Sequence, residues 1–236
     1  MEDAPHILHV FPNFGVGGAE MAIVSVVNAL GRKFQHSFMA AHGDYSALAR
    51  IDPGIKAQRA DAPPRRNMWR FPLAMRRSAR KLSPDLICTY NWGATDMLVG
   101  TGLGSFCGLV HNEHGFGADE AQELKRRRVW AKRLLLRLAY ATVVPSETLL
   151  KIAREEYLLP GSKIRYISNS INTDRFIPGQ NLALRRQYGI VYGDVVFGFV
   201  GALRPEKNLS VLIESFRNIT GDGYWLMIVG DGPCLD

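Results

Sequence analysis

Four short segments combine residue types and spacings suited to chemistry. The run Gly15-Val16-Gly17-Gly18-Ala19-Glu20 separates an apolar stretch from a helix-length segment. Glycines there let the backbone approach an anion, and a helix N-terminus presents unpaired N–H groups to it. A dinucleotide fingerprint would need glycine where Glu20 stands, so that motif is absent; a tight connection is the plain alternative. His111-Asn112-Glu113-His114-Gly115 closes a second apolar run, and its imidazoles and carboxylate could serve as acid, base or hydrogen-bond partners of sugar hydroxyls. A metal site would need a third ligand that the sequence does not place. Gly201-Ala202-Leu203-Arg204-Pro205-Glu206-Lys207-Asn208 puts Arg204 and Lys207 in what reads as the first turn of a helix. A guanidinium, an ammonium and backbone N–H groups would then converge on one anion, for which a diphosphate is the natural guest. The fourth segment, Ile167 to Phe176, is a polar turn after a strand-like run and reads alone as a connecting loop.

These segments need elements to hold them. Strand-like runs at Ile7–Phe11, Phe34–Ala40, Leu86–Tyr90, Cys107–His111, Ala141–Pro145 and Lys163–Ile167 alternate with helical patterns at about Ala19–Leu30, Leu73–Leu82, Thr95–Leu103, Ala121–Leu138 and Ser146–Tyr157. Such alternation implies parallel βαβ units in a doubly wound α/β domain, whose ligands sit at the carboxyl ends of the strands. A second series opens after Pro178-Gly179, with strands at Val195–Val200 and Trp225–Val229 around a helix at Glu206–Ile219, and ends in the turn Gly230-Asp231-Gly232-Pro233. The expected division is residues 1–178 and 179–236, the second being too short to cover both faces of a parallel sheet.

The composition agrees with a globular chain. Its 236 residues are 47% hydrophobic and 22% charged, which excludes a disordered tail, a collagen-like fibre and a disulfide-stapled miniprotein. Cys88, Cys107 and Cys234 are odd in number and far apart, pointing to a reducing compartment. The first residues lack the basic start and apolar run of a signal peptide, and the uncharged stretch Met97–Val110 is shorter than the ~18–20 residues a membrane span needs. A soluble, cytoplasmic protein is expected. The net charge of +7 is concentrated in two clusters: Arg65, Arg66, Arg70, Arg76, Arg77, Arg80 and Lys81, then Lys125, Arg126, Arg127, Arg128, Lys132, Arg133 and Arg137. They read either as solvated helix faces or as sites for anionic lipid or phosphorylated substrates. No recognised nucleic-acid-binding motif accompanies them, so nucleic acid is not an expected partner.

Taken in order, the segments resemble family 4 retaining glycosyltransferases of the GT-B fold. The resemblance rests on GGAE after the first strand, VPSETLLKIAREEYLLPGSKIRYISNSINTDRF, FGFVGALRPEKNLSVLIESF and LMIVGDGP. HNEHG followed by a basic helix is similar to sugar transferases of exopolysaccharide clusters. The implied fold is a Rossmann-like doubly wound parallel sheet on the acceptor side, followed by an incomplete second Rossmann-like domain on the donor side. The implied donor is a UDP- or GDP-sugar used as substrate, with no cofactor or metal, and the acceptor is a saccharide or a lipid-linked molecule. An anionic inner membrane face would be a peripheral docking surface.

Residue by residue, the resemblance assigns His114 to the histidine facing the reacting sugar, with His111 competing for that place. Arg204 and Lys207 match the pair holding the donor diphosphate, Gly17 and Gly18 the loop near the phosphates, and Gly230 and Gly232 the nucleotide-proximal turn. Glu20, His111, Glu113 and Asn169 remain acceptor-side candidates. Two departures stand out. Asn169-Ser170-Ile171-Asn172 replaces the family's asparagine-glycine-valine-aspartate, so a left-handed backbone at Ser170 would cost about 1 kcal/mol. Ala202 replaces an arginine. The family's glutamate-x7-glutamate motif lies beyond Asp236, which implies that these residues do not turn over alone. The rivals are a non-catalytic binding module and a sugar-nucleotide epimerase; the GGAE turn and the Arg204/Lys207 segment favour transfer over epimerisation.

Overall fold

The computed structural model describes residues 4–65, 67–102, 104, 106–115 and 124–235. Ala121–Glu123 of the expected basic helix, Arg66 of the first basic cluster and Leu103 lie outside the described residues. The chain divides into two compact units, Met1–Asn172 and Thr173–Asp236.

The first unit is built on a seven-stranded sheet ordered β3-β2-β1-β4-β5-β6-β7. Its strands are β1 (His6–Phe11), β2 (Gln35–Ala40), β3 (Ala57–Ala60), β4 (Leu86–Tyr90), β5 (Gly108–Asn112), β6 (Ala141–Val144) and β7 (Ile164–Tyr166). All adjacent pairs are parallel. The order reverses between β1 and β4, which creates the topological switch point where open α/β sheets bind ligands. Helices cover both faces, as a parallel sheet requires. On one face, Leu8, Val10, Ile87, Leu109, Val144 and Ile164 meet α2 (Phe71–Leu82), α3 (Thr95–Gly102), α4 (Arg126–Leu135) and α5 (Glu147–Glu155). On the other, Phe11, Phe38, Ala40 and Tyr90 pack with Val24 and Val27 of α1 (Gly18–Leu30).

Local sequence explains these elements. In α2, Phe71, Met75 and Ala79 recur every four residues on the buried face, Pro72 starts the helix, and Ser83 ends it in a left-handed conformation before Pro84. Ser146 caps α5 by accepting the Leu149 N–H at 3.2 Å. β3 was not expected. Its sequence, AQRA, lacks β-branched residues, and Gln58 and Arg59 are exposed on a sheet edge, so hydropathy alternation is absent.

The second unit pairs β8 (Val195–Val200) and β9 (Tyr224–Val229) in parallel. The helices are α6 (Leu182–Gln187) and the crossover α7 (Leu209–Arg217). The crossover is shorter than expected because Pro205–Lys207 forms a separate 3₁₀ turn and Asn208 is left-handed, at φ 51°. Among the described residues, no helix is long and apolar enough to cross a membrane.

Candidate active site at the carboxyl ends of β1, β4 and β5

The turn after β1 is pinned from below by Phe14. Its ring is fully buried, its N–H donates to Asp44 O at 2.9 Å, and its carbonyl accepts the Ala47 N–H at 3.0 Å. Two of the glycines sit against acidic side chains: a Cβ on Gly15 would meet the Asp44 carboxylate, and one on Gly17 would meet the carboxylate of Glu20. Glu20 therefore folds back over the start of α1, where its negative charge suits the helix dipole. Gly18 faces open space. The first-turn amides of α1, which have no intrahelical acceptors, are thus gathered at the switch point.

β5 sorts the histidine segment onto two faces by strand periodicity. His111 and Glu113 turn inward and are almost completely buried. His111 Nδ1 lies 2.9 Å from Thr89 Oγ1, and His111 Nε2 is 3.6 Å from Glu113 Oε2. Lys132 of α4, also buried, places Nζ 2.9 Å from the same oxygen and donates to Tyr157 OH at 3.1 Å. Burial opposes charge on Glu113, but the neighbouring His111 and the Lys132 ammonium outweigh it and hold the carboxyl below its usual range. Burial likewise opposes charge on Lys132, and Glu113 and Tyr157 hold it above the usual lysine value. The pair is charged and interior. Lys132 is therefore not part of a solvated basic face, although it belongs to the second basic cluster.

His114 points to the other face. Its ring stacks on Tyr90 at 5.9 Å between centroids, and burial, reinforced by His111, lowers its pKa although Glu113 opposes the shift. Neither ring nitrogen has a hydrogen-bond partner among the described residues. The His114 main-chain N–H donates to Asn91 Oδ1 at 2.8 Å. Asn91 follows β4 directly, and the next turn closes on β1 because a Cβ at Gly93 would meet Pro12. Sequence inspection missed Asn91. The rule that drew attention to the residues after β5 also applies to the end of β4, at Tyr90-Asn91-Trp92-Gly93.

Asn169 lies exposed beyond β7. Ser170 is not among the residues with positive φ, so the anticipated strain at that position is absent. In the second unit, the turns after β8 and β9 meet backbone to backbone. Leu203 N–H donates to Asp231 O at 2.9 Å, and Cβ atoms on Gly230 and Gly232 would meet the carbonyls of Gly201 and Leu203. Arg204, in extended conformation, precedes the 3₁₀ turn Pro205–Lys207 and Lys207 ends it, so neither lies in the first turn of α7, which begins at Leu209 after left-handed Asn208. Arg204 makes a loose 3.9 Å pair with Glu206, and Lys207 is exposed with no partner among the described residues. Those residues contain no group of three His, Cys, Asp or Glu side chains able to hold a metal ion.

The architecture is that of the GT-B glycosyltransferases. The structure of Anabaena Alr3699/HepE in complex with UDP and glucose is similar to 97% of the chain, with a TM-score of 0.72 at 18% identity, and sucrose-phosphate synthase from Thermosynechococcus elongatus to 94%, with a TM-score of 0.69 at 15% identity. The chain belongs to Glycosyltransferase Family 4, whose family model matches residues 16–175. A GDP-mannose-dependent alpha-mannosyltransferase of Mycobacterium tuberculosis (strain CDC 1551 / Oshkosh) is 25% identical over 235 residues, covering 92% of this chain and 60% of the relative. The two structures are covered to 61% and 62% of their own lengths, so the chain spans about 60% of the relatives it matches.

Proposed function

We propose that this chain contributes the acceptor side and the diphosphate-binding turn of an enzyme that moves a hexosyl group from a UDP- or GDP-sugar to a saccharide or lipid-linked acceptor, with retention of configuration. One observation carries the reading: the Gly17/Gly18 turn and His114 lie on the carboxyl edge of a sheet at and beside its switch point. The relatives support the choice of donor, since one structure holds UDP with glucose and one relative is named for GDP-mannose. As the glycosidic bond breaks, negative charge grows on the departing diphosphate. Arg204 and Lys207 would receive that charge on preorganised cations, without a resident metal. His114, kept neutral by burial, would face the reacting sugar as a hydrogen-bond partner. The product would enter cell-surface polysaccharide synthesis at the cytoplasmic face of the membrane.

Calorimetry on the full chain with UDP-glucose and GDP-mannose tests this reading. One of the two donors binds, and the Arg204→Ala/Lys207→Ala double variant binds it at least about tenfold more weakly, since charge-assisted hydrogen bonds contribute about 1.5–3 kcal/mol each. Equal binding by the variant would remove the diphosphate assignment. Absence of binding by the native chain to either donor would leave a non-catalytic module.

A further inference from the structure

We infer that Asn91 is the positioning residue for His114, holding the proposed catalytic imidazole in place through its main chain; the inference rests on the transferase reading only for the purpose of that imidazole. The sheet holds β5 as far as Glu113, whose N–H donates to Val143 O of β6 at 2.9 Å. His114 is the first residue whose N–H leaves the ladder, and Asn91 Oδ1 takes it at 2.8 Å. Asn91 is itself fixed by its own N–H, which donates to Asn112 O at 2.9 Å, and by its carbonyl, which accepts the Ala94 N–H at 3.3 Å. The side chain of Asn91 thus extends the β4–β5 pairing by one residue, at the edge of the ligand crevice.

The backbone of Asn91 argues that the amide is there for a purpose. Its φ of 55° and ψ of −178° lie in a region occupied almost entirely by glycine, and strain of this kind persists only where surrounding structure enforces it. Glycine would relax the backbone but could not accept the His114 N–H; alanine would keep the strain and lose the acceptor. Asparagine and aspartate are the residues that tolerate positive φ and also carry a side-chain oxygen at the right length. No hydrogen bond orients the His114 ring, because neither of its nitrogens has a partner among the described residues; stacking on Tyr90 and the main-chain bond to Asn91 hold it.

Asn91→Gly, Asn91→Ala and Asn91→Asp are compared in the full chain by melting temperature, by hydrogen exchange at the His114 amide read by NMR, and by calorimetric binding of UDP-glucose and GDP-mannose. The glycine variant melts close to the native protein, because relief of strain offsets the lost bond, and the alanine variant melts lower. Both exchange the His114 amide at least about tenfold faster. Asn91→Asp keeps the oxygen and restores slow exchange; donor affinity follows the same order. Native exchange at His114 in Asn91→Gly would overturn the inference. So would an Asn91→Asp variant that exchanges slowly yet binds donor as weakly as Asn91→Gly, since that result assigns the role to direct contact by Nδ2. Failure of the native chain to bind either donor bears on the transferase reading alone, because His114 exchange decides the role of Asn91 without donor.

Discussion

Replacing Lys132 by methionine isolates the energetics of the buried Glu113–Lys132 pair. The charged atoms are 2.9 Å apart and both side chains are at most 3% exposed. At an effective dielectric of about 20, that separation corresponds to a gross attraction of about 6 kcal/mol. Desolvation of the two ions costs several kcal/mol each, so the intact pair contributes little net stability. Removing one partner is different. Lys132→Met leaves the carboxylate in the interior, where Glu113 Oε1 has no hydrogen-bond partner among the described residues even in the native protein, and the expected loss is about 3–5 kcal/mol. Hydrogen exchange at the β5 and β6 amides measures this within the first unit, whatever the stability of the second. The double variant Glu113→Gln/Lys132→Met recovers most of the loss.

The pH dependence provides a sharper test. In the native protein the Glu113 pKa is lowered, so its contribution is complete above the ordinary value of 4.5 and is lost as pH falls through the folded value. Without Lys132, burial dominates and raises the Glu113 pKa above its ordinary value. The native state of the variant then binds more protons than its unfolded state, so stability rises as pH falls toward the ordinary carboxylate value of 4.5. A loss below about 1 kcal/mol, or a variant with no such rise, would refute this reasoning.

Two further outcomes are expected. His9 is buried against Tyr90 OH at 2.8 Å and His36 at 3.0 Å, and burial followed by repulsion from His36 and His6 lowers its pKa to about 3; its contribution, at most about 5 kcal/mol, is complete above pH 6.5 and is lost as pH falls toward 3, so His9→Gln flattens the acid limb of a urea-stability profile and an unchanged limb contradicts the assignment. Trp130, Leu134 and Leu138 form an exposed stripe beside exposed Arg126 and Arg127, so the chain co-sediments with anionic but not neutral vesicles and Trp130→Ser/Leu134→Ser abolishes the effect; equal sedimentation with neutral vesicles contradicts the electrostatic part.

The sheet was legible because each buried strand is a short apolar run followed by a helical period. The interior role of Lys132 was not. In RRRVWAKRLLLR the obvious apolar stripe is Trp130, Leu134 and Leu138, spaced by four, and it is exposed. The buried face is instead Val129, Lys132 and Leu136, and its central lysine looks like one more member of a basic cluster until a carboxylate from β5 is placed opposite. Arg133 and Arg137 are partly committed as well: they donate to Glu156 O and Leu158 O, beyond the end of α5, at 2.6 and 3.2 Å. Composition gives the total charge, whereas tertiary pairing decides how much of it remains available to a ligand.

Strand periodicity gives a stricter rule for the residues after β5. Leu109 belongs to the core beneath α2–α5, so His111 and Glu113, two and four positions on, must turn toward the same layer. They do, and both are buried. His114 has the opposite parity and meets Tyr90 on the α1 side. The identity of Leu109 therefore places His111 and His114 on opposite faces of the sheet. The same parity explains why Glu113, chemically the most suggestive residue of the segment, holds α4 to the sheet, while its neighbour His114 turns to Tyr90 on the other face. A residue two places from a reactive group on a strand shares its face; a residue one place away does not, and that alternation separates the structural carboxylate from the candidate catalytic imidazole.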